Sequence, residues 1–375
     1  MSRFNSFMQG VRVLDVSAYI PGPLAGLLFA DMGAQVIKIE PPSGDGMREL
    51  GPRDDAGIPV FHASINAGKT ICRLDLKSPQ GVATFLRLVD EADVVIEGFR
   101  PGVMKRLRLD YATLAERNPR LVYCALTGYG QRSPAAHEAG HDANYLAASG
   151  VLHRNGNPPR YFDPPITDVS GALFATIAIL GALHRRDADG AGCFIDLALA
   201  DTPMLLQQFA LAGLGATGVA PQTDETYLNG GAAYYRVYRT RDARHVVLGA
   251  VEPKFWRAFC EAAHQPAWLA RHQDALPQTE LIGELEAFFA TLSAAECIDR
   301  FAAADCCVTR VLDLSEAVEA PHHVARNLLR LGPHHDLQVL FPAWIDGAPP
   351  AVRGPSKTTA DPAFAACFEG HRSTV

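Results

Sequence analysis

The sequence lacks a Cys-x-x-Cys pair and any cysteine and histidine spacing typical of a zinc site, which removes the usual thiol-redox and structural-zinc classes. Its eight cysteines sit mostly inside apolar runs such as Val122-Tyr123-Cys124-Ala125, so they read as small reduced core residues and imply a cytoplasmic protein. No apolar segment of signal-peptide length follows Met1, and the longest apolar run, Gly171 to Leu183, is shorter than a membrane span. A buried helix with no membrane partner is the expectation. Positive charge is also short: the formal net charge is −7, which disfavours nucleic acid as a partner. There is no internal repeat and no G-x-G-x-x-G turn, so a dinucleotide fingerprint is absent.

What is present is a long chain with ample apolar content. At 375 residues, 48% of them hydrophobic, two domains are expected. Val11 to Val16 reads as a strand, Pro21-Gly22-Pro23 as the turn after it, Leu24 to Met32 as a helix and Gln35 to Glu40 as a second strand. Further β-branched runs at Lys69 to Leu76, Ala92 to Ile96, Leu121 to Leu126 and Cys193 to Leu197 alternate with helical patterns. That order predicts an α/β class with a Rossmann-like large domain around a parallel sheet.

The texture changes after a Gly-, Thr- and Pro-rich stretch, 215–229, which reads as a linker. Ala233 to Thr240 and His245 to Ala250 suggest an antiparallel hairpin, followed by helices within 255–304 and a strand at Cys307 to Leu312. The predicted organisation is a large domain over 1–214, with 325–375 returning to it, and a smaller α+β domain over 230–324.

Three residues stand out for proton chemistry. His141 lies in a polar cluster with Asp142, Asn144 and Tyr145, and an imidazole can take or give a proton near neutral pH. Asp168 heads the apolar run to Leu183, where it reads either as an N-cap or as a carboxylate beside free helix N–H groups that could stabilise an oxyanion. Glu252 stands where a β-run meets Pro253, a place equally suited to a surface helix start and to orienting an imidazole. Lys38, Lys69, Arg100, Lys105 and Arg106 fall at or after strand ends, where ligands of α/β sheets bind and where basic groups suit phosphates.

Taken in order, Pro21-Gly22-Pro23, Gly33 to Pro42, Asn66-Ala67-Gly68-Lys69, Glu97 to Gly102 and Gly192 to Asp201 resemble the successive motifs of the family III CoA-transferases (CaiB/BaiF), which include the α-methylacyl-CoA racemases. Within that family, Ala139 to Gly150 and Gly249 to Phe255 resemble the racemase stretches that carry a catalytic histidine and its partner glutamate. The resemblance implies His141 as one base, Asp168 as the second, Glu252 as the residue orienting the imidazole, and Lys38, Lys69, Arg100 and Arg106 as holders of the CoA phosphates. It implies an acyl-CoA thioester as substrate, coenzyme A entering as part of that substrate, no metal, and an interlocked homodimer. The implied reaction is inversion at C2 of a 2-methylacyl-CoA through an enolate. Asp168 also matches the nucleophile of the transferases, so CoA transfer through a mixed anhydride is the alternative, and a non-catalytic acyl-CoA-binding protein is the third. Asn229-Gly230-Gly231-Ala232-Ala233 lacks the longer glycine run and glutamine of formyl-CoA-transferase-like members, which favours the racemase branch.

Overall fold

The computed structural model describes residues 2–333 and 336–359. The Cys367 thiol and the end of the C-terminal tail fall outside the described residues. Two compact units are present: residues 1–149, 162–206 and 321–375 form the first, and 150–161 with 207–320 the second. The expected linker, 215–229, therefore lies within the second unit, and the chain after residue 320 belongs to the first.

The first unit is built on a seven-stranded sheet. In chain order its strands are β1 (Arg12–Asp15), β2 (Gln35–Glu40), β3 (Thr70–Arg73), β4 (Val94–Glu97), β5 (Val122–Thr127) and β6 (Cys193–Ala198). In the second unit lie β7 (Tyr235–Arg239), β8 (His245–Gly249) and β9 (Val308–Arg310). Strands β10 (Leu329–Leu331) and β11 (Leu337–Val339) form a small antiparallel pair, and β12 (Lys357–Thr359) is the seventh strand of the large sheet. The sheet order is β12-β3-β2-β1-β4-β5-β6, and each neighbouring pair is parallel.

The period-two side-chain pattern sorts the strand residues onto two apolar faces. Val13, Val36, Val94, Ile96 and Cys124 meet Phe29 and Ala175 on one face. Leu14, Ile37, Val95 and Tyr123 meet Phe85 and Leu88 on the other. Burial on both faces explains why these strands read as nearly continuous apolar runs.

Two local expectations change. Pro21 opens the helix Pro21–Asp31 rather than closing a turn, because a proline's fixed φ and missing N–H suit a first helical turn. The apolar run after Asp168 belongs to a 24-residue helix, Ile166–Asp189, which stops where Gly190 adopts φ +76°. Its length and composition match a membrane span, but Ala172, Ala175, Ile179 and Leu183 are buried in the core of the first unit.

The second unit holds the expected hairpin, with β9 added antiparallel to β8. Trp256, Phe259, Trp268 and Phe289 fill its core, with the Trp256 indole N–H donating to the Trp268 carbonyl at 3.1 Å.

Candidate functional site

The sheet order reverses between β1 and β4, so the chain leaves those strands in opposite directions and opens a crevice at their carboxyl ends. Ser17 follows β1, Gly98 to Arg100 follow β4, and Gly128 follows β5. A cavity of about 330 Å³ lies among them, and both His141 and Asp168 line it.

Each of the two is delivered by a helix start. His141 is the N-cap of the helix Asp142–Ala148; its backbone N–H donates to the Asn144 side-chain oxygen at 3.0 Å, and its ring stands edge-on to Tyr19 with centroids 6.3 Å apart. Tyr19 itself sits at φ +63°, a left-handed conformation that costs a side-chain-bearing residue energy and puts its ring beside this cavity. Among the described residues the Asp168 carboxylate neither accepts nor donates a hydrogen bond.

Asp168 is not the N-cap. Pro165 is, with Val169 N–H donating to its carbonyl at 3.0 Å, and Asp168 occupies the third helical position. The capping carboxylate comes from Asp142, whose Oδ1 accepts the N–H of Thr167 at 2.6 Å and of Asp168 at 3.2 Å. Those two N–H groups are thereby engaged, so the expectation that they would stabilise an oxyanion does not hold. The sequence puts Asp142 next to His141 without signalling that it caps a helix far along the chain.

Burial pushes the Asp168 carboxyl up from its ordinary 3.8 to about 6, and the nearby Asp142 charge acts in the same direction. Its protonated and ionised forms are therefore both within reach near neutral pH. Tyr145, which lines the same cavity, donates its phenol to the Gly140 carbonyl at 2.7 Å. Burial pushes that phenol up to about 12, so it stays neutral.

A second cavity of about 400 Å³ opens at the ends of β1, β2 and β3, bounded by Ile39, Leu74, Phe99 and Leu107 and carrying Lys77 and Arg106 at its edge. Ser17, Ala18, Tyr19 and Phe99 border both cavities. Arg100 lines the His141 cavity, and its guanidinium reaches the His137 carbonyl at 3.5 Å.

Lys38 and Lys69 are placed differently from the expectation. Both are buried beneath the crevice. Lys69 Nζ donates to Asp15 at 2.9 Å, the Pro23 carbonyl at 2.7 Å and Asn66 at 2.9 Å, which uses all three of its protons. Lys38 Nζ donates to the Ser17 carbonyl and lies 3.0 Å from Asp45 and 3.9 Å from Asp15. Burial opposes ionisation of Asp15, but the two ammonium groups hold its carboxyl below the usual range. The parallel register that sets Asp15 beside Lys38 creates this cluster, which shapes the loop after β1 rather than offering charge to a ligand.

Glu252 lies in the second unit, exposed, as the N-cap of the helix Pro253–Ala263, with no side-chain capping bond. Among the described residues no group of three or more His, Cys, Asp or Glu side chains is placed to hold a metal ion.

A parallel α/β sheet with a His and Asp cavity at its switch point defines the class: an α/β protein whose strand ends carry a ligand crevice. Residues 8–358 match CoA-transferase family III, and the chain belongs to that family. It is 33% identical to α-methylacyl-CoA racemase from Mus musculus over 325 residues, covering 85% of this chain and 81% of the mouse protein. It is equally, 33%, identical to acetyl-CoA:oxalate CoA-transferase from Acetobacter aceti over 336 residues, 86% of this chain and 85% of that protein. Among solved structures, Rv3272 from Mycobacterium tuberculosis superposes with a TM-score of 0.81 at 28% identity, covering 96% of this chain and 98% of that one. A CaiB/BaiF family protein from Brucella suis shares the fold, with a TM-score of 0.82 at 24% identity over 96% of this chain and 98% of that one.

Proposed function

We propose that this chain inverts C2 of a 2-methylacyl-CoA by proton transfer between two bases. The observation that carries the reading is that His141 and Asp168 line one cavity, with the Asp168 carboxylate lifted by burial to about 6. One group takes the α-proton, an enolate forms, and the other group returns a proton to the opposite face. The intermediate protonation of Asp168 suits a group that must be base in one direction and acid in the other.

In this reading Arg106 and Lys77 hold CoA phosphates at the larger cavity, and Arg100 holds the part of the CoA-bearing substrate nearest the reacting carbon. Lys38 and Lys69 support the loop and do not touch the phosphates. Glu252 orients the imidazole, and the working protein is an interlocked homodimer; both of these follow from the family resemblance.

The test is deuterium uptake at C2 of a branched acyl-CoA in heavy water. Wild type incorporates deuterium, and His141→Ala loses incorporation by about two orders of magnitude. Equal exchange in the two proteins would sink the two-base assignment.

The equal identity to a CoA-transferase supports a second reading, in which the Asp168 carboxylate attacks the thioester carbonyl. The C–S bond breaks, CoA leaves as thiolate, and the acyl group stays on Asp168 as a mixed anhydride. Hydroxylamine added after acyl-CoA would trap that anhydride, which the racemase route never forms.

A further inference from the structure

A third cavity, of about 450 Å³, lies over one face of β4, β5 and β6, reaching from Glu97 at the end of β4 to Tyr123 and Phe194 near the starts of β5 and β6, and shares only Arg100 and Pro101 with the His141 cavity. The loop and short helix after β4 divide it from the cavity that carries Arg106: Val103 and Arg106 face one side, Met104 and Lys105 the other. Apart from Arg100 at the shared rim, nothing in the proposed reaction uses this third space.

The sheet register explains what stands in it. Glu97, Ala125 and Asp196 are aligned across β4, β5 and β6, and Val95, Tyr123 and Phe194 form the aligned row two residues earlier. Glu97, Tyr123 and Phe194 consequently share one face of the sheet. Tyr111, from the helix Tyr111–Arg117, closes on both rings, with centroids 6.0 Å from Tyr123 and 5.6 Å from Phe194. Phe194 stays 42% exposed although it sits against two other rings, so an aromatic surface is left open to the cavity.

The polar groups are of two kinds. Lys105 and Arg132 are exposed cations at the edge, and Glu97 is a carboxyl only 4% exposed. Glu97 Oε2 accepts the Phe99 N–H at 2.7 Å, while no donor among the described residues reaches Oε1. Asp110, the other acid here, accepts the Thr113 hydroxyl at 2.8 Å.

We propose that this cavity is a second ligand site, taking a planar aromatic ring that bears an anionic group. The ring lies against Phe194 and Tyr111, and the anion meets Lys105 and Arg132. Glu97 adds a hydrogen-bonding group at the closed end. Burial pushes its carboxyl up to about 7, with Asp196 adding to the rise, so it can keep its proton and donate to an anion instead of repelling it. The volume falls within the range of ordinary small-molecule sites. The anion has two chemical sources, a nucleotide phosphate or an aromatic carboxylate.

The experiment is calorimetric titration of the full chain with AMP and, separately, with benzoate, each in the presence of saturating CoA. At least one probe binds saturably, and Phe194→Ala and Arg132→Gln each weaken it about tenfold. AMP binding identifies phosphate as the anion, and benzoate binding identifies carboxylate. Circular dichroism checks folding; should Phe194→Ala unfold, Arg132→Gln and Lys105→Gln, both at exposed positions, carry the test. Saturable binding of neither probe, its loss when CoA is added, or equal affinity in the folded variants overturns the proposal. Because the readout is binding, its failure leaves the assignment of His141 and Asp168 unaffected.

Discussion

Replacing Asp142 with asparagine separates two effects that one carboxylate exerts on Asp168. The substituted amide would keep a side-chain oxygen for the N–H groups of Thr167 and Asp168, so the cap on the helix Ile166–Asp189 survives in neutral form. What is lost is the negative charge at the helix start, worth about 0.3–1 kcal/mol of stability. The same charge raises the Asp168 carboxyl. That carboxyl rises from 3.8 to about 6, and burial is the larger cause, so the Asp142 charge accounts for less than half of the elevation. At about 1.4 kcal/mol per tenfold change, this is on the order of 1 kcal/mol of electrostatic opposition to ionising Asp168. Removing a negative neighbour favours the carboxylate, so Asp168 loses its proton at lower pH. The assay is the pH dependence of C2 deuterium exchange: the limb near pH 6 moves to lower pH by about one unit or less, while the unfolding midpoint changes little. An unmoved limb would refute the electrostatic coupling. A stability loss of several kcal/mol would show instead that the charge itself holds the helix start.

Two further substitutions distinguish structural cations from ligand-binding ones. Lys69→Met removes the ammonium from Asp15, Asn66 and the Pro23 carbonyl, leaving a buried carboxylate with Lys38 at 3.9 Å, and costs about 3–5 kcal/mol in urea unfolding. A Lys69→Met protein of wild-type stability that has lost CoA affinity would reverse the structural assignment. Arg106→Ala leaves stability unchanged, since its side chain is exposed at the cavity edge, and weakens CoA binding about tenfold at low salt with a smaller deficit at high salt. Calorimetry with CoA at two ionic strengths reads the difference, and an unchanged affinity would remove Arg106 from the phosphate site.

Strands β1, β2, β4 and β5 are legible in the chain because parallel strands buried on both faces cannot hide their apolar composition. Strand β12 is not: Lys357-Thr358-Thr359 has no apolar pattern, and its place beside β3 depends on a pairing across almost the whole chain. The same limit explains Lys38. In Val36-Ile37-Lys38-Ile39-Glu40 the lysine looks like a charge delivered to a strand end, and only the pairing of Asp15 with Lys38 turns it inward. Residue type marks Asp168 for its chemistry but suggests a helix start at Asp168 itself, past the observed N-cap at Pro165. Pro164-Pro165 carries the missing signal, since a proline restrains the residue before it and is tolerated at a helix start. His141 and Asp168 are legible as candidates from residue type and family pattern, whereas their sharing of one cavity is a property of the β1 and β4 crevice.

The protonation of Asp168 also bears on which chemistry the cavity performs. Nucleophilic attack on a thioester needs the carboxylate alone, so transfer rises through the Asp168 transition near pH 6 and then levels. Proton transfer between two bases needs one partner protonated and the other free, so exchange falls away on both sides of an optimum. Burial beside Asp142 leaves the carboxylate less solvated and more basic, which favours attack on a thioester, and a carboxyl near 6 is still mostly ionised at neutral pH. A site built to take and return protons gains as well, since a carboxyl near 6 donates far more readily at neutral pH than one near 3.8. The elevated Asp168 carboxyl therefore suits either chemistry, and the shape of the pH profile separates them. A pH profile of exchange that levels above pH 6 without a descending limb would count against proton transfer between two bases.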